Sequence, residues 1–132
     1  MSVVGGLHHR YVFGRRVEVL SRHLADLLPR GARTLDVGCG DGSIDFRVLQ
    51  HRPDLAIDGV DVLVRPSTHI PVQAFDGRGL PAATGSYDAV TLVDVLHHAA
   101  DPRRLLAEAA RVARLAVVVK DHFREVLLAG AA

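Results

Sequence analysis

The sequence predicts an α/β fold in which a mostly parallel sheet of about five strands is covered by helices on both faces, giving three layers. Three observations lead there. Short β-rich runs alternate with stretches of helical period, a glycine turn joins the first run to the helix after it, and the later runs are apolar throughout, as strands buried on both faces are. At 132 residues the chain fits one domain, read as an N-terminal helical segment over 1–30, a core over 31–122 and a short tail over 123–132.

Taking the elements in order, Phe13, Val17, Leu20, Leu24 and Leu27/Leu28 recur at three- and four-residue spacing from about His9 to Leu28, with Arg15, Arg16, Arg22 and Asp26 between them. This is an amphipathic helix, stopped by Pro29 and Gly31. Its arginines read as a solvated face. Thr34 to Val37 is a strand that ends in Gly38-Cys39-Gly40-Asp41-Gly42, and helical period resumes at Ile44, Val48 and Leu49. Leu55 to Val60 is a second strand with Asp61 at its end, which makes a right-handed βαβ unit. Val72 to Phe75 is a third, closed by Asp76-Gly77, and Tyr87 to Val93 a fourth, closed by Asp94. Asp101-Pro102 opens a helix, with Asp101 able to cap free amides and Pro102 where its missing N–H costs nothing. Leu105, Leu106, Ala109 and Val112 form that helix's buried stripe, and Leu115 to Val119 is the fifth strand, ending at Lys120-Asp121-His122.

Composition excludes more than it names. Hydrophobic residues at 48% and charged residues at 23% are those of a packed globular domain. Sixteen Lys+Arg against fifteen Asp+Glu leave a formal charge of +1, without the basic excess that draws a protein to nucleic acid or anionic lipid. With no Trp, two Tyr and four Phe there is no basic patch interleaved with aromatics, so no nucleic-acid partner is expected. No apolar run approaches the roughly 20 residues that span a bilayer, and Met1 to Arg10 has no signal-like stretch, so no membrane partner is expected either. A single cysteine suits a reducing compartment, and the expected location is cytoplasmic. Eight histidines raise a metal site. The pairs His8-His9 and His97-His98 are sequence neighbours whose side chains diverge in regular structure, so no metal is expected.

The glycine turn carries the most information. Gly38 and Gly40 permit positive φ and remove the β-carbons that would keep a ligand off the backbone, while Gly42 lets the helix start close to the strand. A dinucleotide fingerprint counted from Gly38 and Gly40 puts its third small residue at Ser43, one place later than Gly42, and Asp36 precedes the turn by two residues. That disfavours a nicotinamide-binding domain. Cys39 sits where a small side chain satisfies the turn, and no single histidine is identifiable as a base for it, so it is not read as a nucleophile.

The run Asp36-Val37-Gly38-Cys39-Gly40-Asp41-Gly42 resembles the first motif of the class I S-adenosylmethionine-dependent methyltransferases. Asp61 is similar to that family's ribose-binding acid and Asp76 to its adenine-side acid. Gly79-Leu80-Pro81 through Gly85-Ser86-Tyr87-Asp88-Ala89-Val90 resembles the approach to its fourth strand. Asp94-Val95-Leu96-His97-His98, followed by Asp101-Pro102, resembles the exit, as in the broad small-molecule subgroup. The resemblance covers about Thr34 to Asp121 and implies a Rossmann-like sheet of order 3-2-1-4-5, S-adenosylmethionine as cofactor, and methyl transfer to a small molecule.

The chemistry of the residues agrees with it. A ligand carrying an ammonium and a sulfonium wants carboxylates, and Asp36 suits the ammonium, directly or through water. Two ribose hydroxyls match the two oxygens of Asp61; Val62 would lie against the adenine, and Asp76 with the Gly77 amide would meet its amino edge. Asp94 completes the implied cofactor set with Gly38, Cys39, Gly40 and Gly42. Each aspartate also reads as a loop or cap residue. His97 and His98 lie just past the fourth strand, on the carboxyl edge where open α/β sheets bind ligands, and either could be a general base, or cap and pack; His122 has a similar place. The acceptor is expected in a groove between Tyr11 and His97. Family members usually continue past the fifth strand with a helix and two strands, whereas this sequence has only Phe123 to Leu128, enough for a short helix. The expectation is therefore a sheet without the usual last two strands, with Leu115 to Val119 an apolar edge that a second copy, another protein or the tail covers. The alternative function is a truncated, non-catalytic module that binds the cofactor or a partner protein.

Overall fold

The structure, a computed structural model, describes the backbone of residues 3–122 and the side chains of residues 14–122. Its elements run α1 (Val3–Leu27), β1 (Arg33–Val37), α2 (Ser43–His51), β2 (Ala56–Asp61), β3 (Val72–Ala74), β4 (Tyr87–Val93), a single 3₁₀ turn (Leu96–His98), α3 (Pro102–Val112) and β5 (Ala113–Lys120). The five strands form one sheet of order β3-β2-β1-β4-β5, and every pairing is parallel. The predicted strand order is observed.

Side-chain alternation along the strands sorts the core into two layers. Leu35, Val37, Val60, Val90 and Leu92 face α3, where they meet Leu105, Ala109 and Val112. Ile57 and Ala89 face the other way, onto Leu24 and Ala25 of α1 and Val48 of α2. Asp101 caps α3 as expected, its Oδ1 accepting from the Arg104 amide at 3.1 Å with Pro102 in the first turn. The end of α1 is tied down by Arg52, whose guanidinium donates to the carbonyls of Leu28 and Pro29 at 3.0 and 3.2 Å and also to that of Ala25.

The strands alternate with helices less regularly than the sequence predicts. Helices cross over between β1 and β2 and between β4 and β5, but residues 62–71 and 75–86 cross as loops. Pro66 and Pro71 interrupt the first of these, and Gly77, Gly79, Pro81 and Gly85 the second, so neither can propagate a helix. Both loops are anchored. Ile70 is buried beneath the glycine turn, and Leu80 is buried with its amide donating to Glu108 Oε1 at 2.8 Å.

β5 is the outer strand on one side of the described sheet, with Leu115 57% and Val119 43% exposed. The expected short helix from Phe123 to Leu128 lies outside the described residues. Among the described residues no helix is long and apolar enough to cross a membrane.

Candidate functional site

Strand order reverses between β1 and β4, the position at which open α/β sheets leave a crevice beyond their carboxyl ends. The glycine turn fills that place from the β1 side. Gly38, Gly40 and Gly42 have φ of 74°, 60° and 79°, so the alternate residues of the turn all lie in the left-handed region. A Cβ on Gly38 would overlap Val95, which follows β4. One on Gly42 would come within 2.6 Å of Ile70, so the close approach there is to the β2–β3 crossover and not to the strand that the sequence suggested. The Gly38 and Cys39 amides donate to the Val60 carbonyl at 2.7 and 3.2 Å, fastening the turn to β2.

Beside the turn lies a cavity of about 480 Å³, within the range of small-molecule sites. Asp61, Asp76 and Asp94 bring carboxylates to its wall, and Gly38, Val62 and Gly77 line it as well. Asp61 receives the Gly40 amide on Oδ2 at 2.8 Å and the Leu63 amide on Oδ1 at 3.1 Å. Both hydrogen bonds leave lone pairs on the carboxylate. Arg65 Nη1 stands 3.4 Å from the same Oδ2. Asp76 receives the Arg78 and Gly79 amides on Oδ1 at 2.8 and 2.9 Å, and these two bonds hold its carboxyl below the usual range. Its loop role and its place on the cavity wall coexist. Val62, 64% exposed, stands across from Gly77.

Asp94 reaches the wall already committed. Both its oxygens receive Lys120 Nζ, at 3.1 and 3.2 Å, and His122 Nε2 lies 3.2 Å from Oδ1. Asp94 has φ +55°, the only positive value for a non-glycine among the described residues. Of the two neighbouring histidines, His98 lines the cavity. His97 turns to β5, where its Nδ1 meets Asp121 Oδ1 at 2.5 Å. Burial alone would push the Asp121 carboxyl up, but the His122 amide, the His97 ring and the Leu96 amide together hold it below its ordinary value. The side chain of Tyr11, the other wall of the predicted acceptor groove, lies outside the described side chains.

Asp36 and Cys39 sit behind this surface. Asp36 is buried under the turn, where it accepts from Thr91 Oγ1 at 2.9 Å and meets a second carboxyl, that of Asp45 in the first turn of α2. Burial pushes both carboxyls up, Asp45 well above its ordinary value, and the contact between them disfavours ionising both. The Cys39 thiol packs against Gly59 and is pushed up to about 12, chiefly by burial and then by the charges of Asp36, Asp45 and Asp61. At neutral pH it is a thiol and no nucleophile.

Sequence reasoning missed Asp45, Arg65, Lys120 and Asp121 as neighbours of the site. Asp45 had left a signal, since with Val48 and Leu49 it falls at i, i+3 and i+4 on the apolar stripe of α2. The others meet their partners through tertiary contacts or loop geometry without a pattern. Among the described residues no group of three or more His, Cys, Asp or Glu is placed to hold a metal ion.

Comparison with known proteins bears on the same residues. The sequence pattern of a methyltransferase domain matches residues 8–125. Over 129 residues the chain is 28% identical to 27-O-demethylrifamycin SV methyltransferase of Amycolatopsis mediterranei, an alignment covering 82% of this chain and 47% of that protein. Among solved structures it is similar to an S-adenosylmethionine-dependent methyltransferase from Aquifex aeolicus, with TM-score 0.61, 19% identity and coverage of 78% and 63% of the two chains. It is also similar to the [4+2]-cyclase SpnF, with TM-score 0.62, 24% identity and coverage of 74% and 41%. These two likenesses are of fold. The chain thus spans about half the length of the curated relative it matches.

Proposed function

The chain belongs to the class I S-adenosylmethionine-dependent methyltransferase family, and we propose that it binds that cofactor in the cavity beside the glycine turn and methylates a small-molecule acceptor there. The observation that carries the proposal is the lining of the cavity. Three carboxylates at or just past strand ends line it beside Gly38 of the turn, and Arg78 alone, with no lysine, is too little cation for a phosphate cradle. That donor set fits a ligand with two ribose hydroxyls, an adenine amine and a cationic tail.

Asp61 would accept from the ribose hydroxyls with the lone pairs that the Gly40 and Leu63 amides leave, Val62 would cover one adenine face, and Asp76 Oδ2 with the Gly77 amide would meet the adenine's polar edge. Asp36, one layer behind, favours the ammonium through an intervening water. Asp94 contributes wall shape while Lys120 holds its carboxylate. When bound, the cofactor supplies an electrophilic sulfonium methyl, and the protein's part is to hold the acceptor in line with it, an alignment worth on the order of 7–11 kcal/mol. For an oxygen acceptor a base is also needed. His98 faces the cavity, and His97, fixed through Nδ1 by Asp121, keeps Nε2 for a proton. The exposed outer edge of β5 is proposed as the surface for association with a second copy.

Calorimetry with the demethylated product, S-adenosylhomocysteine, tests the binding half. Micromolar affinity is expected, with Asp61→Ala weakening it about tenfold or more by loss of charge-assisted hydrogen bonds. No binding to well-folded protein overturns the reading.

A further inference from the structure

Arg65 stands out in the β2–β3 crossover because one guanidinium nitrogen meets two acceptors while another is left facing the turn. Nη1 donates to the Leu63 carbonyl at 3.0 Å and pairs with Asp61 Oδ2 at 3.4 Å, while Nη2 reaches within 4.0 Å of the place a Cβ on Gly40 would take. The side chain is 44% exposed, so it remains within reach of a ligand.

Resting on the cofactor reading above, we propose that Arg65 is the cofactor's carboxylate-binding residue, exchanging part of its pairing with Asp61 for the α-carboxylate of the amino-acid end. The chemistry narrows the choice. Ammonium and carboxylate sit on one carbon of the ligand, so an ammonium drawn to Asp36 under the turn brings the carboxylate over the same turn. Asp61 is the carboxylate of the cavity wall nearest the turn, Arg65 stands against it just outside the lining, and an anion needs a cation to enter. Lys120 is spent on Asp94, and Arg78 lies at the Asp76 end of the cavity. Arg65 lies over the turn itself, and its planar fork can serve two carboxylates at once, Asp61 on one edge and the ligand on the other.

The test is calorimetry on the full chain with two ligands, S-adenosylhomocysteine and its decarboxylated analogue, which keeps the amine and lacks only the carboxylate. Wild-type protein is expected to prefer the first by about tenfold, the low end for a charge-assisted pair at a half-exposed site, and Arg65→Ala to lose that preference by weakening the first ligand alone. Arg65→Lys should restore part of it, and matching circular dichroism melts confirm that the variants fold. A preference that persists in Arg65→Ala, an equal loss for both ligands, or tighter binding of both overturns the assignment while leaving the cofactor reading intact. Failure of S-adenosylhomocysteine to bind folded wild-type protein overturns the cofactor reading and this assignment with it.

Discussion

Asp45 shows how a single residue sets the electrostatics under the glycine turn. It is buried, its Oδ2 has no hydrogen-bond partner among the described residues, and it meets the Asp36 carboxyl, itself bonded to Thr91, with Asp61 and the Cys39 thiol the other titratable groups near the pair. Two adjacent buried carboxyls cannot both ionise cheaply, so the folded state keeps a proton that the unfolded chain gives up near its ordinary carboxylate value. A raised folded value means that this contribution to stability is present at about pH 4 and below and is lost as pH rises through the pair's raised range. Asp45→Asn, which supplies an amide donor to Asp36 without a proton to lose, should therefore leave stability nearly unchanged at low pH and raise it by roughly 1–3 kcal/mol toward neutral pH. Thermal melts of both proteins across that range check this; a gap that does not widen with pH shows that the pair does not titrate as described. Asp36 was legible in the sequence because it precedes a recognisable turn. Asp45 left only the signal of a carboxyl on an apolar stripe, whose partner the sequence does not name, because that comes from what the opposing strand places against it.

Among the elements, α1 depends on a contact that no periodicity reveals. Arg52 donates to the Ala25 carbonyl in the last turn of α1, to those of Leu28 and Pro29 just beyond it, and to both oxygens of Asp54, at 2.8 and 2.9 Å, while Asp54 in turn receives the Gly31 amide at 2.7 Å. A helix ends with unsatisfied carbonyls, and a cation there answers both their hydrogen bonds and the helix dipole. Arg52→Ala should cost about 1–2 kcal/mol of stability in urea denaturation without changing ligand affinity, since Arg52 does not line the cavity. A stability change within error would mean that water serves those carbonyls equally well. The existence of α1, the extent of α3 and the positions of all five strands followed from period, caps and turn residues, but α1 begins at Val3 and not near His9, because the apolar stripe that marks the helix starts only at Phe13. The two crossover loops did not, since strand alternation tells where a parallel sheet continues but not whether the connection between strands is helical.

On the scale of the molecule, the described sheet has β5 as one border, carrying Leu115 and Val119 in the open beside strand groups that no described neighbour pairs. Exposed apolar edges associate. The 132-residue chain should show concentration-dependent dimerisation in sedimentation, reduced by Leu115→Lys; a monomer over the whole range would refute it. What the sequence determined by itself was the architecture, which rests on local signals such as apolar runs and turn residues, while the spacing of Gly38, Gly40 and Gly42 and the acids Asp36, Asp61 and Asp76 carried the family resemblance that implies the cofactor. What only the tertiary structure decided was the partnership of those acids, with Asp36 against Asp45, Asp61 against Arg65, Asp94 against Lys120, and His97 against Asp121. The physical reason is that a charge acts through distance and burial. Distance and burial exist for residues far apart in sequence only once the sheet has brought the strand ends to one edge.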